Sequence, residues 1–311
     1  MKKTLGLLAL IACLGLLPVF AGKYLLYLAI HIMLLALFSL GFNLLFGYTG
    51  LLSFGQAGFY AMGAYGCGKI LLAVPSLLAG IIGGMVIAGM GSLLLGILCI
   101  RHTRIYFSML TLSFGMMVFS LAWKWRDMTG GDDGLVGIPR APLVIPGIYT
   151  FSMTPMENYY YVVLVFTLLA VYLFHRLVHS PLGLTLKGIR DSETRTACVG
   201  ISVRNYRLIS FTIAGLYAGL AGALLPPLES AVTPPVAHWS HSAEPVLATL
   251  MGGIYTFAGP IVGAFLFYIL KDMIVRFTEY WLICLGIIVL VLVLGFRGGV
   301  VSMLVGKGGR R

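Results

Sequence analysis

The stretch GAYGCGKI, residues 63–70, sets two glycines and a lysine in the spacing of a phosphate-binding loop. In such a loop the backbone amides wrap the phosphates, the lysine reaches the outer ones, and a following Ser or Thr hydroxyl ligates magnesium. Ile70 stands in that last position, and isoleucine binds no metal. No strand precedes the stretch, and apolar sequence runs on through both of its ends. The Gly and Ala residues at 57, 58, 61, 63, 64, 66 and 68 make the small-residue face that lets membrane helices pack closely. Lys69 then falls near the end of a membrane helix, where its ammonium is expected to snorkel to the headgroups. The stretch reads as a helix in a bilayer, and any nucleotide belongs to another chain.

The rest of the chain has the same character. Of 311 residues, 59% are hydrophobic and 10% charged, too few charges to cover a water-facing surface. Apolar runs recur that reach the roughly 20 residues needed to cross a hydrocarbon core. They are continuous rather than alternating, which excludes a β-barrel. The expected fold is all-α, a polytopic integral membrane protein with about 8–10 transmembrane helices. Helices are predicted near 4–22, 24–46, 57–73, 77–100, 105–123, 158–177, 206–228, 243–256, 259–276 and 280–297. The helix at 4–22 follows Lys2 and Lys3 like a secretory signal, but its apolar run is long enough to span, and it reads as retained. The helix at 243–256 is short, and either spans or re-enters. No linker or charged block divides residues 1–311, so they form a single domain.

The net charge of +11 reflects sidedness rather than nucleic acid, because no basic stripe is interleaved with aromatics. Lys2 and Lys3, Arg101 and Arg104, the run from Arg176 to Arg207, and Arg297 to Arg311 all fall on one side. By the positive-inside rule that side is the cytoplasm, and both termini lie there. The loops 124–157 and 229–242 lie outside. Five cysteines without CxxC spacing read as apolar packing residues.

Chemistry is sought in the two long polar stretches and at one break. The inner stretch, about 178–205, contains SETRTACVG and SVRNYR, a short helix, a glycine stop and a second helix entering the membrane. Ser192 is placed to cap the first of these. In FGYTGLLSFGQAGF, Gly47, Gly50, Gly55 and Gly58, with Asn43, Thr49, Ser53 and Gln56, interrupt two apolar helices at membrane depth. Such breaks line a polar path or make a tight turn between packed helices, and the sequence leaves both open. TGGDDGL in the outer loop offers Asp132 and Asp133, short of the 6–8 ligands calcium takes, and reads as a turn. His238, His241 and Glu244 lie three apart, but zinc would require their convergence. His175 and His179 are expected at headgroup level. Glu229 and Glu244 are expected at the outer face. Lys271, Asp272, Arg276 and Glu279 are expected to form one ion-pair cluster. No nucleophile–base constellation points to an enzyme, and no metal site is expected.

Four stretches, NLLFGYTGLLSFGQAGFYAMGAY (43–65), TGGDDGL (129–135), GIRDSETRTACVGISVRNYRLISFTIAGLYAGLAGALL (188–225) and LATLMGGIYTFAGPIVGAF (247–265), resemble in order the permease subunits of branched-chain amino acid ABC importers, the LivM branch in particular. The resemblance implies the ABC importer permease fold, half of a translocation pathway in a bacterial inner membrane. It implies a homologous LivH-type permease, two LivG/LivF-type ATPase subunits and a periplasmic amino-acid-binding protein as partners. ATP and Mg would be bound by the ATPases and no cofactor by this chain, with branched-chain or other hydrophobic amino acids as substrate. Arg190, Asp191, Glu193, Ala197 and Gly200 would couple to an ATPase. Asn43, Gly47, Gly50, Ser53, Gly55, Gln56 and Gly58 would line the path, and Asp132, Asp133, Glu229 and Glu244 would dock the binding protein. The chain departs from the family pattern at Thr194, Arg195 and Thr196, where alanine is common, and at Gln56, where histidine is frequent. Urea or short amides are the rival substrates, and a non-transporting membrane scaffold is the rival role.

Overall fold

The apolar runs fold into helices that pass back and forth between two ends of one bundle. The computed structural model describes residues 14–18, 22–102, 104–145, 149–151, 153, 155–278, 280–295 and 299–301. Five described segments are long and apolar enough to cross a membrane: Lys23–Thr49, Leu77–Cys99, Ile105–Lys124, Met156–Val178 and Val203–Glu229. Of the helix expected at 4–22, 14–18 and Gly22 are described; 14–18 are helical, and the carbonyls of Leu14 and Gly15 accept hydrogen bonds from Tyr160 and Tyr161.

Helix α1 (Lys23–Asn43) continues into a π-helix, Leu44–Thr49, which stops at Gly50 with φ +79°. A π-turn fits an extra residue into each hydrogen-bonded ring, so the chain widens there and then reverses. Helix α2 (Gln56–Ala73) is the centre of the bundle, with α3 (Leu77–Cys99) and α8 (Val203–Ala223) against it. Glycine makes this possible. A side chain at Gly63 would run into the Gly219 carbonyl, one at Gly84 into the Gly63 carbonyl, and one at Gly222 into the Tyr60 carbonyl. The three backbones therefore touch, as small-residue packing in a bilayer requires. The Lys69 ammonium donates to the Asp127 carbonyl at 3.1 Å, in the loop beyond the helix end.

Helices α4 (Arg104–Lys124) and α5 (Met156–Val178) flank this centre, and α10 (Gly259–Phe277) and α11 (Trp281–Gly295) follow at the end of the chain. The short helix falls four residues earlier than predicted, as α9 (Trp239–Gly252). His238 caps it, its ring nitrogen accepting from the Ser240 amide, and Gly253 at φ +123° ends it. Fourteen residues rise about 21 Å, less than a hydrocarbon core. Strand β4 (Ala231–Val232) before α9 pairs with β1 (Leu135–Val136) at one end, and the Ile254 carbonyl after it lies against Gly47 at the other.

Basic residues gather at one end around α6 (Pro181–Asp191) and α7 (Glu193–Cys198). The opposite end carries the loop 125–155, where two short antiparallel pairs, β1 with β4 and β2 (Leu143–Ile145) with β3 (Tyr149–Phe151), add the described strand to an otherwise helical fold.

Candidate functional site

At the basic end, α6 buries Gly183, Leu186 and Ile189 against the bundle and leaves Leu184 exposed. Ser192 breaks the helix and caps the next: its Oγ accepts from the Arg195 amide at 3.4 Å, and its carbonyl accepts from the Thr196 hydroxyl at 2.9 Å. Gly200 stops the elbow at φ +87°, a conformation that only glycine adopts without strain. Thr194, Ala197, Cys198 and Val199 point outward, Val199 with 79% of its surface exposed. Open grooves of about 610 and 520 Å³ run along the two sides of α7.

The five expected coupling residues divide into two groups. Ala197 and Gly200 lie on the exposed face, whereas Glu193 turns back to pair with Arg207, whose side chain is almost fully buried. Arg190 also turns inward. Its Nη1 donates to the Gly47 carbonyl at 2.6 Å, its guanidinium lies over the Tyr255 ring at 5.1 Å, and its Nε and Nη2 donate to Asp191 at 3.1 and 3.0 Å. Asp191 is thus the brace of Arg190. One guanidinium joins the elbow, the π-helix and the turn after α9.

The expected path residues are brought together at that π-helix and the start of α2, and their glycines have specific partners. Side chains at Gly47, Gly50 and Gly55 would meet the Ile254 carbonyl, Arg190 and the Thr111 carbonyl, while Gly58 faces Gly115. These glycines permit close backbone approach. The polar residues between them are different. Asn43, Ser53 and Gln56 are fully buried, and their side-chain polar atoms have no hydrogen-bond partner among the described residues. Gly55, Gly58 and Thr111 line a cavity of about 10 Å³, close to the volume of one water-sized probe. Thr49 is satisfied, bonded to Ser210 at 2.8 Å.

At the opposite end Asp132 pairs with Arg126 at 3.1 Å, and Asp133 is exposed on a 3-10 turn, Gly131–Asp133. Glu229 is not a loose loop acid. It accepts from Tyr27 at 2.6 Å and faces His31 Nε2 at 3.0 Å, and Arg140 fixes its turn by donating to the carbonyls of Pro227 and Leu228. Glu244 lies within α9, 18% exposed, bonded to Lys271 at 2.6 Å and beside His241 at 3.3 Å. The single cluster expected around Lys271 is therefore divided: Arg276 pairs with Asp272 at 3.0 Å and Tyr24 bonds Asp272, while Lys271 pairs with Glu244 of α9. Glu279 lies outside the described residues. His238 packs on Phe119 and Trp239 rather than joining His241, and no group of three metal-ligating side chains occurs among the described residues. Tyr27, His31 and Arg140 escape a sequence reading because their partners are distant in the chain. A histidine inside an apolar helix is the one signal that points to them.

A spanning bundle with a capped basic elbow at one end, tied to a polar break in its core, defines the membrane component of a transport system. The chain belongs to the family of branched-chain amino acid transport system permease components, whose pattern matches residues 24–294. It is 27% identical over 97% of its length to the high-affinity branched-chain amino acid transport permease LivM of Escherichia coli K12, covering 76% of that protein. It is 22% identical over 79% of its length to the LivH permease of the same organism, covering 83% of it. A probable LivH permease of Methanocaldococcus jannaschii is 24% identical over 78% of the chain and 77% of its own length. No solved structure gives a significant match.

Proposed function

We propose that this permease forms half of an inner-membrane pathway through which a small hydrophobic amino acid enters the cell, driven by ATPase subunits that dock on the elbow. The observation that carries this reading is the Arg190 clasp. A force applied to the exposed face of α7 passes through one side chain to the π-helix that holds Asn43, and to the turn after α9. A loop that merely recruits partners has no need of such a tie. The basic end then faces the cytoplasm, as do both termini, in accord with the charge bias. A homologous permease completes the pathway, two ATPases bind ATP and Mg, and a binding protein delivers substrate at the end carrying Asp132, Asp133 and Glu229.

Uptake of radiolabelled leucine into vesicles bearing the complex, with urea as control, tests the reading. Gly200→Pro places a residue with φ near −65° where the chain requires +87°, and should abolish uptake in an assembled complex. Uptake that ignores ATP would refute ATP coupling, and ATP-driven uptake of urea alone would replace the substrate.

A further inference from the structure

Between α1, α9 and α10 a chain of polar side chains crosses the outer half of the bundle. Glu229 meets Tyr27 and His31; the His31 ring stacks on Tyr268 with centroids 5.4 Å apart; Lys271 lies 5.7 Å over Tyr268 and bonds Glu244 at 2.6 Å; Glu244 faces His241. Their depth follows from the helix rise. His31 is 12 residues before Asn43, about 18 Å above the π-helix. Lys271 is 12 residues past Gly259, about 18 Å along α10, and Glu244 is 8 residues before the end of α9, about 12 Å. Each lies more than one turn inside its helix.

The charges are not sealed in the core. Side-chain exposure is 36% for Glu229, 25% for Lys271 and 18% for Glu244. Charged groups cannot face acyl chains at that depth; they face protein or a water-filled cavity. A half-buried ion pair is also a poor source of stability, because desolvation offsets its attraction. The face offers an ammonium and a carboxylate, Lys271 and Glu244, 2.6 Å apart, and a second carboxylate, Glu229, reached from them through Tyr268 and His31, next to the aromatic rings of Phe38 and Tyr60. An amino acid carries an ammonium and a carboxylate on adjacent carbons, with an apolar side chain beside them.

From this we infer that the α1–α9–α10 face lines the translocation pathway, with Lys271 receiving the substrate carboxylate, Glu244 and Glu229 its ammonium, and the rings its apolar side chain. This rests on the amino-acid reading above and places the contact some distance from the buried break at Asn43 to Gly58. Charge-assisted contacts of this kind are the ones whose loss is felt most.

Two measurements on the assembled complex in membranes test it. In the first, Tyr268→Cys is exposed to a small, charged, water-borne thiol reagent. Labelling above the parent chain, slowed by saturating leucine-loaded binding protein and ATP, is expected; no labelling would place the face against lipid or sealed protein and overturn the inference. In the second, Glu244→Gln, Lys271→Gln and the swapped pair Glu244→Lys with Lys271→Glu are compared. Each should lower leucine uptake about tenfold or more while the amount of assembled complex in the membrane stays within about twofold of the parent. Recovery in the swapped pair, or unchanged uptake in the neutral variants, would show a structural ion pair only and overturn it. If the parent complex carries urea and not leucine, the amino-acid reading fails and the zwitterion contact with it, whereas labelling at 268 still reports whether the face is a water-lined path.

Discussion

Arg190 shows how one side chain links distant segments. Lysine would keep the charge but not the fork, so it cannot donate to the Gly47 carbonyl, stack on Tyr255 and hold Asp191 together. Arg190→Lys is expected to lower uptake about tenfold while ATP hydrolysis persists, a split read by measuring both in the same vesicles. Glu193 behaves differently. Its removal leaves the almost fully buried Arg207 without its carboxylate, so Glu193→Ala should destabilise the purified protein by about 1–3 kcal/mol, whereas its exposed neighbour Thr194→Ala should change little. Thermal unfolding in detergent distinguishes them. Both residues were legible in sequence as belonging to the polar elbow. That they turn inward was not, because neither Gly47 nor Arg207 is a neighbour whose distance the helical period fixes from Arg190 or Glu193. The same holds for Glu244: spacing sets it beside His241, but nothing in the chain announces Lys271 on the next helix.

At the scale of elements the sequence was far more readable, since an apolar run and its flanking breaks mark a helix with little help from tertiary contacts. The exceptions have local causes. Helix α1 was expected to end near 46, but its ladder loosens into a π-helix as far as Thr49, which hydrophobicity cannot register. Helix α9 starts at Trp239 because His238 caps it, a role better known for Ser, Thr, Asp and Asn. The glycines separate two kinds of constraint that sequence presents alike. Gly63→Ala pushes a methyl against the Gly219 backbone and should cost roughly 1–3 kcal/mol by forcing α2 from α8. Gly200→Ala meets no atom within 4 Å, yet its φ of +87° should cost roughly 1–2 kcal/mol, confined to the elbow. Thermal melts should therefore show the first variant losing global stability. Limited proteolysis should show the second opening at residues 192–202 while the bundle stays intact.

For the whole molecule the deciding question is which end meets the cytoplasm, and the chain contains its own probe. Cys198 is exposed on α7 at the basic end, whereas Cys67 and Cys99 are buried among helices. Thiolates react according to exposure, so a membrane-impermeant maleimide should modify Cys198 readily where it has access. Charge bias places the elbow inside. Labelling of Cys198, judged as the signal lost on Cys198→Ser, should thus occur in inside-out vesicles and be absent from sealed right-side-out ones. If α7 is also the seat of an ATPase, adding the ATPase subunits should slow that labelling, and adding the binding protein outside should not. Labelling from the outer side would reverse the orientation and with it the assignment of Asp132 and Asp133 to substrate delivery. Equal labelling with and without ATPases would keep the orientation but move the docking site off α7, leaving Arg190 as a clasp with no lever attached.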